Sequence, residues 1–226
     1  DSDSEKKYLS LIGLYKAELA SENKIAILDY YSAKRIDKKY YAEYELAYAQ
    51  QYAALSDFKN SLVHAKNAYE KTSPEKKQIK QKSFYYYCLG LYSTGKSKQA
   101  ISLIEKSKEN SDAESKYFFA QKILYARCLA ENGNLESAEK IYKNFFEKSQ
   151  LNNEQKYDYA KILFSLGNMS ECKKVADSSS VSDAVYISAL ASFNMQDWKN
   201  SSTGFFKFIA ENSKSSKISF AEFYYG

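Results

Sequence analysis

Between Ser83 and Lys108 the apolar positions fall at Phe84, Tyr87, Cys88 and Leu91, the i, i+3, i+4, i+7 spacing of one face of an α-helix. A polar break, Ser93–Thr94–Gly95–Lys96, follows, and Ala100, Ile104 and Ser107 then form a second stripe at i, i+4, i+7. Two amphipathic helices joined by so short a turn make a helical hairpin. The pattern recurs along the chain. Tyr48, Ala49 and Tyr52 precede the turn at 55–58, with Ser61, Ala65 and Ala68 after it. Tyr125, Ala126 and Leu129 precede 131–134, with Ala138, Tyr142 and Phe145 beyond. Tyr159, Ala160 and Leu163 precede 166–168, with Cys172 and Ala176 beyond, and Ala189 precedes 195–198, with Ser201, Phe205 and Phe208 beyond. The first copy is read from Ser21–Glu22–Asn23 followed by Ala26, Tyr30 and Ala33. The small residue opening each second helix falls at 26, 61, 100, 138, 172 and 201, in steps of 35, 39, 38, 34 and 29. Small side chains at these places, and at Cys88, Ala126, Ala160 and Ala189 on the first helices, let paired backbones approach closely. Each hairpin leaves one face uncovered, which stacking of neighbours buries.

The quoted stretches "YYYCLGLYSTGKSKQA" and "LYARCLAENGNLESAEKIY" resemble the tetratricopeptide (TPR) repeat, and the likeness covers nearly the whole chain. Pro74 stands where that signature places its proline. The consensus Trp and Gly are mostly replaced, the period wanders, and Ser188 and Ser192 stand where the signature has large residues. Sel1-like or other α-solenoid repeats are the structural alternative. The resemblance implies an all-α fold, an α-α superhelix built as a right-handed solenoid of about six hairpins. The repeats are expected near 4–37, 39–73, 75–109, 112–149, 152–179 and 181–213, with 214–226 opening a further helix.

The same resemblance implies a concave groove lined by a second stripe of the first helices. Carried onto this chain, that stripe is Glu43, Leu46 and Gln50, then Lys82, Tyr85, Leu89 and Tyr92. Ile123 and Arg127 follow, then Tyr157, Lys161 and Phe164, and last Tyr186, Leu190 and Phe193. The rings have two readings, packing between successive first helices or the floor of a binding groove. Tyrosine offers large contact area with one orienting hydroxyl, and Lys82, Arg127 and Lys161 among the rings suit an acidic or carboxylate-terminated peptide. Chaperone-binding members of the family hold a terminal carboxylate with Lys and Asn at groove positions that here read Leu46, Gln50, Tyr85, Leu89, Ile123 and Tyr157, so that role is not expected.

Composition agrees with helices: the 226 residues include one proline and seven glycines, too few for a turn-rich β fold. Aromatics make up 16% of the chain, which excludes a disordered segment. The net charge of +5 comes from interleaved signs, as in Glu105–Lys116, and reads as solvated helical surface. Only Arg35 and Arg127 are arginines and no basic cluster forms, so nucleic-acid binding is not expected. No apolar run is long enough to span a membrane. Cys88, Cys128 and Cys172 are odd in number and widely spaced, as buried thiols are and a disulfide or metal framework is not. His64 is the only histidine and reads as a surface or packing residue. Residues 93–98, "STGKSK", echo a phosphate loop without its upstream glycine. No catalytic residue, metal site or cofactor is expected.

Three functions follow as expectations. The first is a non-catalytic scaffold or adaptor that binds protein or peptide in the groove. The others are a ligand-sensing module of a larger signalling or transport protein and a cell-envelope assembly subunit. A bacterial origin is expected, in the cytoplasm or the periplasm and envelope, so the glycosylation-type triplet at Asn168 is set aside. The chain starts without methionine and ends in a likeness of the Ser83 helix, so it is expected to be part of a longer protein.

Overall fold

A computed structural model describes residues 2–33, 36–107 and 117–226. Arg35, and the charged run from Lys108 to Lys116 with the repeat limits at 109 and 112, lie outside the described residues. Among the described residues there are thirteen α-helices and no strand. They are α1 (Ser2–Leu19), α2 (Lys24–Ser32), α3 (Tyr41–Ala54), α4 (Phe58–Lys71), α5 (Lys77–Ser93), α6 (Ser97–Lys106) and α7 (Phe118–Glu131). The chain continues through α8 (Leu135–Glu147), α9 (Asn153–Ser165), α10 (Met169–Asp177), α11 (Ser182–Asn194), α12 (Trp198–Glu211) and α13 (Ile218–Tyr225). The helices pack as sequential hairpins, and the chain divides into two compact units, Asp1–Cys128 and Leu129–Gly226.

Five hairpin turns share one conformation. Ser56, Gly95, Gly133, Gly167 and Gln196 are left-handed, with φ of 60°, 72°, 82°, 79° and 59°. In each, the amide after the left-handed residue reaches back to a carbonyl five residues earlier, as Asp57 to Tyr52 (2.9 Å) and Asn168 to Leu163 (2.9 Å). This is the Schellman closure, which satisfies carbonyls that a helix end would leave bare. The next helix starts at once. Asp57 and Asp197 cap it by accepting from the amides of Asn60 and Asn200.

Five residues after each left-handed position comes the small residue expected from the sequence: Ser61, Ala100, Ala138, Cys172 and Ser201, all essentially unexposed. On the first helices Ala49, Cys88, Ala126, Ala160 and Ala189 are equally buried. Within two hairpins the small pair also hydrogen bonds: Ser61 Oγ donates to Ala49 O (2.8 Å) and Cys172 Sγ to Ala160 O (3.3 Å). Between hairpins, Gly90 of α5 lies so close to α4 that a Cβ there would stand 2.9 Å from Leu62 Cα.

The first unit carries a core around Leu28, Tyr44 and Tyr48 and another around Phe84, Cys88, Leu91, Ile104 and Leu124. In the second unit Ala189, Phe205, Phe208 and Ala221 form a cluster. Two expectations need correction. Ala26, Tyr30 and Ala33 face solvent, and Leu28 is the buried residue of α2. The left-handed residue there is the N-cap Asn23, at φ 57°, and five residues on, as in the other turns, stands the buried residue, here the large Leu28 rather than a small one. Ser107 lies past the end of α6, in extended backbone. Ser188 and Ser192, which fill positions expected to be large, are buried, and Ser188 Oγ donates to Asp177 Oδ1 (2.5 Å) at the end of α10.

Candidate functional site

In the first unit α1, α3 and α5 enclose a cleft of about 500 Å³. Leu14 and Glu18 line it from α1, Glu43, Leu46 and Gln50 from α3, and Lys82 and Tyr86 from α5. The spacing of Glu43, Leu46 and Gln50 at i, i+3, i+7 puts them on one face of α3. Lys76 Nζ donates to Glu43 Oε1 (2.6 Å) and to Lys39 O (2.7 Å), fixing the α4–α5 link to the start of α3. Glu43 Oε2 is shielded from solvent and has no hydrogen-bond partner among the described residues. The wall therefore joins apolar side chains, amides and charges of both signs.

The expected residues of α5 and α7 are drawn into packing to different degrees. Tyr85 is half-buried, stacks on Tyr117 (centroids 5.8 Å apart) and meets Tyr86 edge-on (5.3 Å). Burial pushes the Tyr85 hydroxyl up, the neighbouring Tyr86 adds to this, and the Arg127 guanidinium partly offsets it. Leu89 and Tyr92 pack against the Phe84–Cys88 cluster. Tyr86, one residue from the expected stripe, lines the cleft instead. The sequence signal for it was its i+4 spacing from Lys82.

In the second unit Tyr157 and Tyr186 are brought together by two residues that the sequence reading passed over. Lys217, at the start of α13, donates to Asp183 Oδ2 (2.5 Å) and to the Tyr157 hydroxyl (3.3 Å). Its ammonium stands 5.8 Å from the Tyr157 ring centre and 5.6 Å from that of Tyr186. Partial burial lowers the Lys217 pKa, but Asp183 and Tyr157 outweigh it and hold the ammonium above its ordinary range. Lys161 pairs with Asp158 (2.8 Å) and lies 4.6 Å from the Tyr157 ring centre. Tyr186 also packs on Phe205 and Phe208, and Phe193 packs between Trp198 and Tyr224. Phe164 is half-buried. Asp183 lies in the first turn of α11 and Lys217 falls past the sixth repeat, so the spacing of apolar positions singles out neither.

The chemistry of the thiols is set by burial. All three cysteines are unexposed and none is in a disulfide. Burial pushes Cys88 far up, with Cys128 adding to it, and takes Cys172 to about 12, with Asp177 adding. Among the described residues no group of His, Cys, Asp and Glu is arranged to hold a metal, and no helix is long and apolar enough to cross a membrane.

No family model matches the chain, and no curated protein does. Solved structures do resemble it. The apo form of RapI matches with a TM-score of 0.62 at 14% identity, over 98% of this chain and 95% of that one. The nearly identical TPR-like repeats assigned to a kinesin light chain of Podosopora anserina match with 0.60 at 12% identity, over 80% and 98%. A thermophilic TPR protein of Thermus thermophilus matches with 0.54 at 11%, over 79% and 95%. The fold is thus a TPR-like helical repeat, an α-solenoid type. Proteins of this fold typically mediate protein binding and are usually non-catalytic.

Proposed function

We propose that the protein is a non-catalytic scaffold that binds a peptide segment of another protein along the first-helix face of its repeats. The observation that carries this reading is the α1–α3–α5 cleft, where Glu43, Leu46, Gln50 and Lys82 share one wall system with Tyr86. Its mixture of aliphatic, amide and charged groups suits an extended peptide, whose backbone the amides of Gln50 and Gln51 engage and whose carboxylates face Lys24 and Lys82. In the second unit Tyr157, Lys161 and Tyr186 form a comparable aromatic and basic face, already ordered by Asp183 and Lys217. Tyr85, Leu89, Tyr92 and Arg127 of the first unit, and Phe164 and Phe193 of the second, belong to this proposal as further members of the same stripe, Tyr85, Leu89, Tyr92 and Phe193 being ordered by packing within their own unit. That pre-organisation lowers the entropic cost of binding.

The test is selection of peptides from a random display library on the whole chain, followed by hydrogen-exchange mapping of the complex. The reading expects peptides with acidic residues or a free C-terminus that protect 43–51 and 82–86. Gln50→Ala with Lys82→Ala should weaken them by about tenfold or more. Selected peptides that protect only second-helix surfaces, and that bind the double variant as tightly as the wild type, would overturn it.

A further inference from the structure

The opposite face of α3 carries a different stripe, Tyr41, Glu45, Tyr48 and Tyr52, at i, i+4, i+7, i+11. With Asp29 of α2 and His64 of α4 it lines a second cleft, of about 430 Å³. His64, read from sequence as a surface or packing residue, is built into this wall. Its ring lies nearly parallel to Tyr48 (centroids 4.8 Å apart, 22°) and to Tyr52 (5.4 Å, 11°). Its Nδ1 is 2.9 Å from Glu45 Oε2, which also accepts from Asn67 Nδ2 (3.0 Å). Asp29, exposed at the rim, accepts from the Tyr48 hydroxyl (2.7 Å), so that ring is pinned at both its face and its tip.

We propose that this cleft binds an organic cation, a guanidinium or alkylammonium group, whether free or carried on a basic peptide. Aromatic faces are negative and attract cations within about 6 Å of the ring centre. Here the rings stand between two carboxylates, and no described lysine or arginine lines the cleft. Such a wall repels anions. It also suits a hard metal ion poorly, because Glu45 Oε2 is committed to two donors and, apart from Asp29 and Ser32, the remaining wall is aromatic or aliphatic. A delocalised or alkylated cation, weakly hydrated and flat or rounded, matches stacked rings with a carboxylate at the rim. The site is separate from the α1–α3–α5 cleft and does not depend on the function proposed for it.

His64 is the only histidine, so its ring Cε1–H gives one resonance that reports on the cleft directly. The whole chain is titrated with N-acetylarginine amide, with tetramethylammonium and with a glycine-flanked arginine tripeptide, against sodium chloride and sodium acetate at matched ionic strength. The expected result is a saturable shift of the His64 signal with the organic cations and none with the sodium salts. Tighter binding of the tripeptide than of the amide identifies a peptide side chain as the occupant, and the reverse order identifies a free cation. Asp29→Asn, at an exposed position, should weaken binding about fivefold, and Tyr52→Leu by a similar factor, with unchanged far-ultraviolet circular dichroism. A His64 signal unmoved throughout, or moved equally in wild type and both variants, overturns the proposal.

Discussion

Ser61 and Ser201 occupy the same place in two hairpins, yet they are wired differently. The Ser61 hydroxyl donates to Ala49 O, whereas the Ser201 hydroxyl is buried with no partner among the described residues. A buried hydrogen bond contributes about 1 kcal/mol net, and an unsatisfied buried hydroxyl is itself a cost. Ser61→Ala should therefore lower stability by about 1 kcal/mol, and Ser201→Ala should leave it unchanged or raise it. Chemical denaturation of the two variants checks the contrast; equal losses would refute it. Glu45 offers a second single-residue prediction. Burial raises its carboxyl, but hydrogen bonds from His64, Asn67 and Tyr41, with the charge of His64, outweigh it and leave the group below the usual range. A depressed native pKa contributes stability that is present above the unfolded value, about 4.3, and is lost as pH falls through the native one. The stability gap between wild type and Glu45→Gln should be widest above about pH 4.3 and close below it. Urea titrations across that range measure it, and a pH-independent gap would count against the assignment.

At the scale of elements, the turns decide the register. Gly95, Gly133 and Gly167 meet open space where a Cβ would stand, so their requirement is the left-handed backbone alone. Gly167→Ala should cost about 1 kcal/mol, and Ser56→Gly and Gln196→Gly should each gain up to about 1 kcal/mol, since their side chains now bear that strain. Thermal unfolding of the three variants reads the signs. These turns are also why the hairpins were legible in the sequence: small polar breaks between apolar stripes stand at Ser56, Gly95 and Gly133 as they do at Gln196. The first hairpin misled because Asn23 holds the left-handed conformation at the cap itself, which shifts the buried position to Leu28. In the candidate sites, the register implied by the resemblance includes Glu43, Leu46, Gln50 and Lys82, which line the first cleft. It missed Tyr86 by one residue, because four consecutive aromatics give a face to every reading. It missed Asp183, Lys217 and the Glu45–His64 pair, whose meaning comes from neighbours on other helices that spacing along one helix does not encode.

At the scale of the molecule, packing within each unit runs between neighbouring helices, with α3 on α4 and α4 on α5 in the first and α11 on α12 in the second. In such an arrangement stability is close to a sum of local and nearest-neighbour contributions. Gly90→Ala places a methyl 2.9 Å from the α4 backbone and should destabilise by about 1–3 kcal/mol. The loss should appear as faster hydrogen exchange in α3 to α6, while α11 to α13 keep their protection. A uniform rise across the chain would show global cooperativity instead. The binding proposals share this logic, since the two clefts use opposite faces of α3 and a substitution in one need not disturb the other.

The distance from each left-handed turn residue to the buried small residue stays at five positions, while successive turns are 39, 38, 34 and 29 residues apart. The variation lies elsewhere, in helix lengths such as nine residues in α10 against fourteen in α4, and in the links that join one hairpin to the next. Length changes placed in those regions leave the turn geometry untouched, so segments cut at the links form natural units to add or remove. An array of this kind can be lengthened, shortened and rewritten in sequence while each turn keeps its geometry.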